Sequence, residues 1–283
     1  MFKFKKIFSA LFLGLPALFF CGCASLIRIS DEPFVAAESS AYIPDSIEWQ
    51  KINEACEYFL FEDDRIPLRW HCTKIDLSNP HLRIDACPSE QGELKRGLTA
   101  RAFAKKSESF VSVNTSPFSG RFLKTKTIVG THKTDGKVIS PANSAYSALA
   151  FKRENDGSLK AFILKEQNDE KIREYDWAFG GFFTILQNGE LTYFSYESRN
   201  SRTAAGITAD GKTLFLLVVE GERPYRSKGL SYPECAQIFL KLGATDAMQM
   251  DGGGSSSLFI NGKNILSYAP LRHNAAFFGF CME

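Results

Sequence analysis

The chain has 283 residues, with 34 Lys and Arg against 32 Asp and Glu and a formal net charge of +2. Basic and acidic residues are interspersed rather than gathered into a stripe, which argues against nucleic acid as a partner. Once a terminal segment is set aside, roughly 230 residues remain, enough for one large domain to bury most of its surface.

Lys3, Lys5 and Lys6 precede an apolar run from Ile7 to Phe20, the pattern of a secretory signal. The run is shorter than the ~20 residues a membrane span needs, so an exported chain is expected. Phe20-Cys21-Gly22-Cys23-Ala24-Ser25 suits two processing outcomes. It resembles a relaxed bacterial lipobox with Cys23 as the lipidated residue, which would anchor the protein to a membrane of the bacterial cell envelope. Gly22-Cys23-Ala24 also suits ordinary signal-peptidase cleavage, which would release a soluble secreted or periplasmic protein. The lipoprotein reading is carried forward: residues 1–22 as signal, 23–48 as a weakly periodic tether with Pro33, Pro44 and Asp45, and 49–283 as the globular domain.

Within that domain, Leu68 to Leu77 and Leu82 to Ala86 read as strands joined by Ser78-Asn79-Pro80, so Cys72 and Cys87 could face each other across a hairpin. Export permits a disulfide there. No Cys or His spacing suggests zinc. Thr99 is positioned to cap a helix through Ala104, and Phe110 to Val113 is a buried strand ending at Asn114. The run Arg121 to Lys126 reads as a solvated face. Arg202 stands just before a strand, and Leu214 to Val219 is a continuous apolar run that stops at Glu220-Gly221, the pattern of a strand covered on both faces. Ser231-Tyr232-Pro233-Glu234 is a capping box opening a helix that Gly243 ends. Asp246 to Met250 is a further short strand, and Arg272 precedes the last apolar run.

The most informative stretch follows Met250: Asp251-Gly252-Gly253-Gly254-Ser255-Ser256-Ser257. An acid at a strand end followed by three glycines gives a turn free of side chains, whose amides can approach an anion. The expected fold is α+β, a single large domain with a central mixed sheet flanked by helices. If the strands ending in Asn114, Glu220 and Asp251 are neighbours, their carboxyl ends form a ligand site.

In order along the chain, these blocks resemble the phosphodiester glycosidase domain family. Lys74-Ile75-Asp76-Leu77 with Asn79-Pro80 is similar to its opening strand, and Val113-Asn114 with Phe118 to its Asn-Gly-Gly-aromatic block. Phe179-Gly180-Gly181 through Asn188-Gly189, Ser201-Arg202-Thr203-Ala204 with Gly206-Ile207, and Val219-Glu220-Gly221 follow in order. The most specific match is Leu242-Gly243-Ala244 with Asp246-Ala247, then Asp251 to Ser256 and Asn261-Gly262. Three departures fall near the expected site: Thr115-Ser116-Pro117 in place of two glycines, Asn200-Ser201 in place of His-Pro, and Glu220 in place of Asp.

The resemblance implies hydrolysis of the bond between a sugar's anomeric carbon and a phosphodiester oxygen, in a phosphorylated glycan or sugar-1-phosphodiester. Arg202 and Arg272 would then grip phosphate oxygens, with the backbone of Gly252, Gly253, Gly254, Ser255 and Ser256 cradling the same group. Asp251 or Glu220 would act as base or stabilise the cationic sugar, and Asn114 would orient the substrate. Inversion and retention stay open, since they turn on a carboxylate separation. A calcium or magnesium ion on Asp251 and backbone carbonyls is compatible with the motif without being required by it. The alternative is a non-catalytic surface lipoprotein that binds phosphorylated glycans through the same cradle.

Overall fold

The computed structural model describes residues 42–91, 96–120, 125–192 and 198–283. The expected signal, Cys23 and most of the expected tether lie outside the described residues. Tyr42 is nevertheless 2% exposed, and its carbonyl accepts a hydrogen bond from Trp70 Nε1 at 2.9 Å. The last residues of the stretch read as tether therefore pack on the domain.

Sheet dominates over helix. The largest sheet has eight strands in the order Gln50–Lys51, Cys56–Asp63, Leu68–Asp76, Thr213–Val219, Arg202–Ile207, Asp246–Gln249, Thr184–Gln187 and Glu190–Leu191. A five-stranded sheet runs Lys263–Asn264, Leu258–Ile260, Val111–Asn114, Phe277–Met282 and Leu82–Cys87. Another runs Lys137–Ser140, His132–Thr134, Trp177–Gly180, Ala148–Arg153 and Leu159–Leu164. All strand pairings in these sheets are antiparallel, which corrects the expected mixed sheet. The apolar run at 213–219 is continuous for a different reason. Leu214, Leu216 and Val218 enter the core shared by the sheets, while Phe215, Leu217 and Val219 pack on the opposite side with Cys235, Ile238 and Phe239 of the helix Tyr232–Lys241.

That shared core draws on all three sheets and is rich in phenylalanine, including Phe151, Phe179, Phe278 and Phe280. Phe179 and Phe278 stack at 4.9 Å. Each such ring contributes about 1.5–3 kcal/mol on burial, so many of the phenylalanines among the described residues serve the core. Helices cover the outer faces. Ala100–Ser107, capped by Thr99, lays Phe103 against Phe277. Tyr232–Lys241 begins with the expected reciprocal capping box of Ser231 and Glu234. Cys72 and Cys87 are both buried and lie on strands of two different sheets, so the hairpin that would have brought them together does not form.

Strands 213–219 and 246–249 flank 202–207 and are both antiparallel to it. Arg202 pairs in register with Val219, and Ala204 with Gln249. Glu220, Asp251 and Arg202 are thereby delivered to one end of these central strands of the large sheet.

Candidate active site

Asn114 joins two sheets at this end of the strands. Its Nδ2 donates to the Asp251 carbonyl at 2.6 Å, while its Oδ1 accepts from Thr203 Oγ1 at 2.9 Å and from the Ser257 amide at 3.0 Å. The Asp251 amide donates to the Thr115 carbonyl at 2.8 Å. Asn114 is 1% exposed, so it fixes the backbone of Asp251 and the loop beyond it instead of facing a ligand. Thr115, where the resembled pattern has glycine, serves here through its carbonyl.

The three glycines have separate reasons. A Cβ on Gly252 would lie 2.8 Å from the Ser201 carbonyl, which itself accepts the Gly253 amide at 2.9 Å. Gly253 has φ +57, the left-handed region. A Cβ on Gly254 would meet Glu222 Oε2 at 3.6 Å and Arg272 Nη1 at 3.9 Å, ordinary contact distances. The Ser255 and Ser256 amides bond to the Gly252 and Gly253 carbonyls, and Ser255 and Ser256 are fully buried. Much of the loop's donor capacity is thus used within the protein, and the expected amide cradle is correspondingly smaller.

Asp251 sits in dense surroundings with a small part of its surface open. Burial pushes its carboxyl up to about 6, against the pull of the Ser255 hydroxyl, the Arg272 guanidinium and the Gly252 amide. Arg272 Nη1 donates to Ser255 Oγ at 3.1 Å, so the serine links cation and carboxyl. Arg272 is exposed and its guanidinium lies over the Phe118 ring at 5.7 Å, with Lys126 Nζ 4.9 Å from the same centroid.

Arg202 and Glu220 are held elsewhere. The Arg202 guanidinium donates to the Leu230 and Ser198 carbonyls at 2.9 and 2.7 Å and stacks 4.4 Å from the Tyr232 ring. It secures the start of the helix and makes no ion pair with Asp251 among the described residues. Glu220 is 1% exposed. His71 Nε2 contacts its Oε1 at 2.8 Å, the Ser267 amide donates at 2.9 Å, the Ser267 hydroxyl donates as well, and Arg69 lies 3.4 Å away. Burial alone would raise this carboxyl, but the bonds from His71 and Ser267 outweigh it and hold it at about 2. His71 is kept below its ordinary value by burial despite that carboxylate. It is therefore neutral at pH 7, with Nε2–H donating to Glu220 and Nδ1 accepting from the Tyr58 hydroxyl at 2.8 Å. Glu220 is a buried brace, and the accessible acid is Glu222, two residues on, whose Oε1 accepts from Ser201 Oγ at 3.2 Å. Residue alternation alone does not distinguish these two glutamates. Their difference is set by His71, 149 positions from Glu220.

The described residues contain no group of three or more His, Cys, Asp or Glu side chains placed to hold a metal, and Arg272 beside Asp251 works against a cation there. A hollow of about 270 Å³ lies elsewhere, lined by Asp45, Ile47, Trp49, Lys74, Phe215, Lys241 and Leu242. It contains none of these site residues.

The candidate site is thus a strand-end aspartate, a glycine turn and an exposed arginine presented by an antiparallel sheet assembly. The family described as phosphodiester glycosidase matches residues 107–277, and the chain belongs to that family. It is 27% identical over 194 residues to the SPbeta prophage-derived protein YomE of Bacillus subtilis, covering 64% of this chain and 29% of that protein. The match thus spans less than a third of that relative's length. Among solved structures it is similar to a hypothetical protein from Synechocystis, with TM-score 0.65, 13% identity, and coverage of 84% of this chain and 64% of that one. The zebrafish N-acetylglucosamine-1-phosphodiester alpha-N-acetylglucosaminidase catalytic domain, auto-inhibited by its pro-peptide, gives TM-score 0.61 and 17% identity over 84% and 87% of the two chains. These structural likenesses concern the fold.

Proposed function

We propose that the protein is an exported hydrolase, lipid-anchored through Cys23 in a bacterial cell envelope, that cleaves the bond between a sugar's anomeric carbon and a phosphodiester oxygen. The observation that carries the reading is the Asp251–Ser255–Arg272 linkage, a carboxyl raised to about 6 beside an exposed guanidinium. Family membership supplies the reaction class.

Arg272 binds the phosphate, assisted by the Gly254 face of the turn. A phosphomonoester's second ionisation is near ~6, so the leaving group departs with little proton donation. The enzyme's task is to hold the anion and activate water. Water oxygen bonds to the anomeric carbon and the carbon–oxygen bond to phosphate breaks. The electron pair leaves on the phosphomonoester, and the water proton passes to the Asp251 carboxylate. Asp251 is the base in this reading. Asn114, Glu220 and Arg202 act as positioning residues, through the Asp251 carbonyl, the Ser267 segment and the helix start respectively, and Ser256 belongs to the buried side of the turn.

The test is release of free sugar from a panel of sugar-1-phosphodiesters by wild type and Asp251→Asn across pH 4.5–8. Because an ionised base is required, the wild-type rate should rise through about pH 6. Asp251→Asn should lose about 100-fold or more of turnover while still binding substrate. Binding without turnover in the wild type would favour the glycan-binding lipoprotein instead.

A further inference from the structure

Three of the five exposed large apolar side chains among the described residues, Ile66, Tyr225 and Leu271, lie on loops at the end of the central strands that carries Asp251. Tyr225 and Leu271 are the barest, 72% and 77% exposed against 44% or less for the others. Ile66 is in the turn between the strands Cys56–Asp63 and Leu68–Asp76, and Trp70 of the second strand is in register with Val219, next to Glu220. The Lys228 amide donates to the Pro67 carbonyl at 2.8 Å, and Arg223 Nη1 donates to the Ser267 carbonyl at 3.2 Å. The loop holding Tyr225 is thereby tied to the Ile66 turn on one side and to the segment leading to Leu271 on the other. Glu222 and Arg272, on the same loops, border the glycine turn at Gly254.

Charge on these loops is unbalanced. Arg223, Arg226, Lys228 and Arg272 are exposed, and none of them makes an ion pair within 4.0 Å among the described residues. Asp64 and Glu222 are the opposing acids, while Glu62 and Asp63 are held by Arg69 and Arg65. Bare apolar side chains set among cations suit the boundary of a membrane. The apolar tips enter the acyl region, a tyrosine ring sits at the headgroups, and the cations meet anionic lipid.

The described chain also begins at this end. The Tyr42 carbonyl accepts from Trp70 Nε1, and the carbonyl of the neighbouring Arg69 accepts the Glu220 amide at 3.0 Å. Nineteen positions separate Cys23 from Tyr42, a reach of at most ~70 Å. Resting on the reading of Cys23 as a lipid anchor, we propose that the face formed by Ile66, Tyr225 and Leu271 with Arg226 and Lys228 docks on an anionic lipid surface. The Asp251 turn is then presented to the headgroups.

Tryptophan quenching by lipids brominated on their acyl chains tests the docking, with the full chain on vesicles and its three native tryptophans as baseline. Tyr225→Trp should be quenched above that baseline by brominated phosphatidylglycerol, and less by brominated phosphatidylcholine. Adding Arg226→Gln and Lys228→Gln should lower the ratio of docked to undocked chain roughly tenfold. Leu240→Trp is the control. Leu240 is 44% exposed near the far end of its helix, where the Thr245 amide bonds to Ile207 at the opposite end of strand 202–207, so this variant should stay at baseline. Docking is overturned if Tyr225→Trp stays at baseline, if the neutral lipid quenches it equally, or if Leu240→Trp is quenched more. The mass of the mature chain reads the anchor separately. Quenching of Tyr225→Trp without lipid on Cys23 removes the anchor and leaves the docking face, whereas a lipidated chain without that quenching removes the face and leaves the anchor.

Discussion

Gly252 and Gly254 are separated by one residue and fail in opposite ways when given a methyl group. At 252 the methyl meets the Ser201 carbonyl at 2.8 Å, and that carbonyl is fixed by the Gly253 amide. At 254 the methyl finds ordinary contact distances to Glu222 and Arg272, on the face of the turn proposed to meet phosphate. Gly252→Ala should lower stability by about 1–3 kcal/mol, read by denaturant unfolding. Gly254→Ala should stay within about 0.5 kcal/mol of wild type and lose sugar-phosphate binding. Equal stability loss in both would show that the turn is not built in this way. Asp251 and the glycines drew attention in the sequence because an acid, three glycines and serines follow a strand, a pattern that ordinary turns share and that only the ordered blocks around it set apart. The sequence did not reveal Glu222, since Glu220-Gly221-Glu222 offers two carboxylates and only the distant His71 marks which one is buried.

Among the elements, the segment carrying Arg272 depends on the Glu220 brace, because Ser267 bonds to that carboxylate through both its amide and its hydroxyl. The Glu220 carboxyl is held at about 2 when folded, against an ordinary value of 4.5. Its folded pKa is depressed, so it contributes stability above the unfolded value, and that stability is lost as pH falls from about 4.5 towards 2. Glu220→Gln should be less stable than wild type at pH 7 by on the order of 3 kcal/mol, with the gap narrowing by pH 3. A gap of the same size at both pH values, measured by chemical denaturation, would rule out an ionised brace. Local elements were readable. Thr99 and the Ser231–Glu234 box cap the helices for which they were read as caps, because capping depends on residues within one turn.

At the scale of the molecule, strand order and direction were not readable. The run at 214–219 has the continuous apolar character of a parallel strand, but an antiparallel strand acquires it too when a helix covers one face and a second sheet the other. Cys72 and Cys87 were misplaced for the same reason, since adjacent strand-like runs entered different sheets. The site exists only through contacts of this long range. Asn114 and Asp251 are 137 positions apart, and no local pattern joins them. The most direct test of the glycosidase reaction is hydrolysis of a turned-over sugar-1-phosphodiester in water enriched in oxygen-18, followed by mass spectrometry of both products. With water attacking the anomeric carbon beside Asp251, the label is expected on the free sugar and absent from the phosphomonoester. Label in the phosphomonoester would mean cleavage of the phosphorus–oxygen bond, and the protein would be a phosphodiesterase instead.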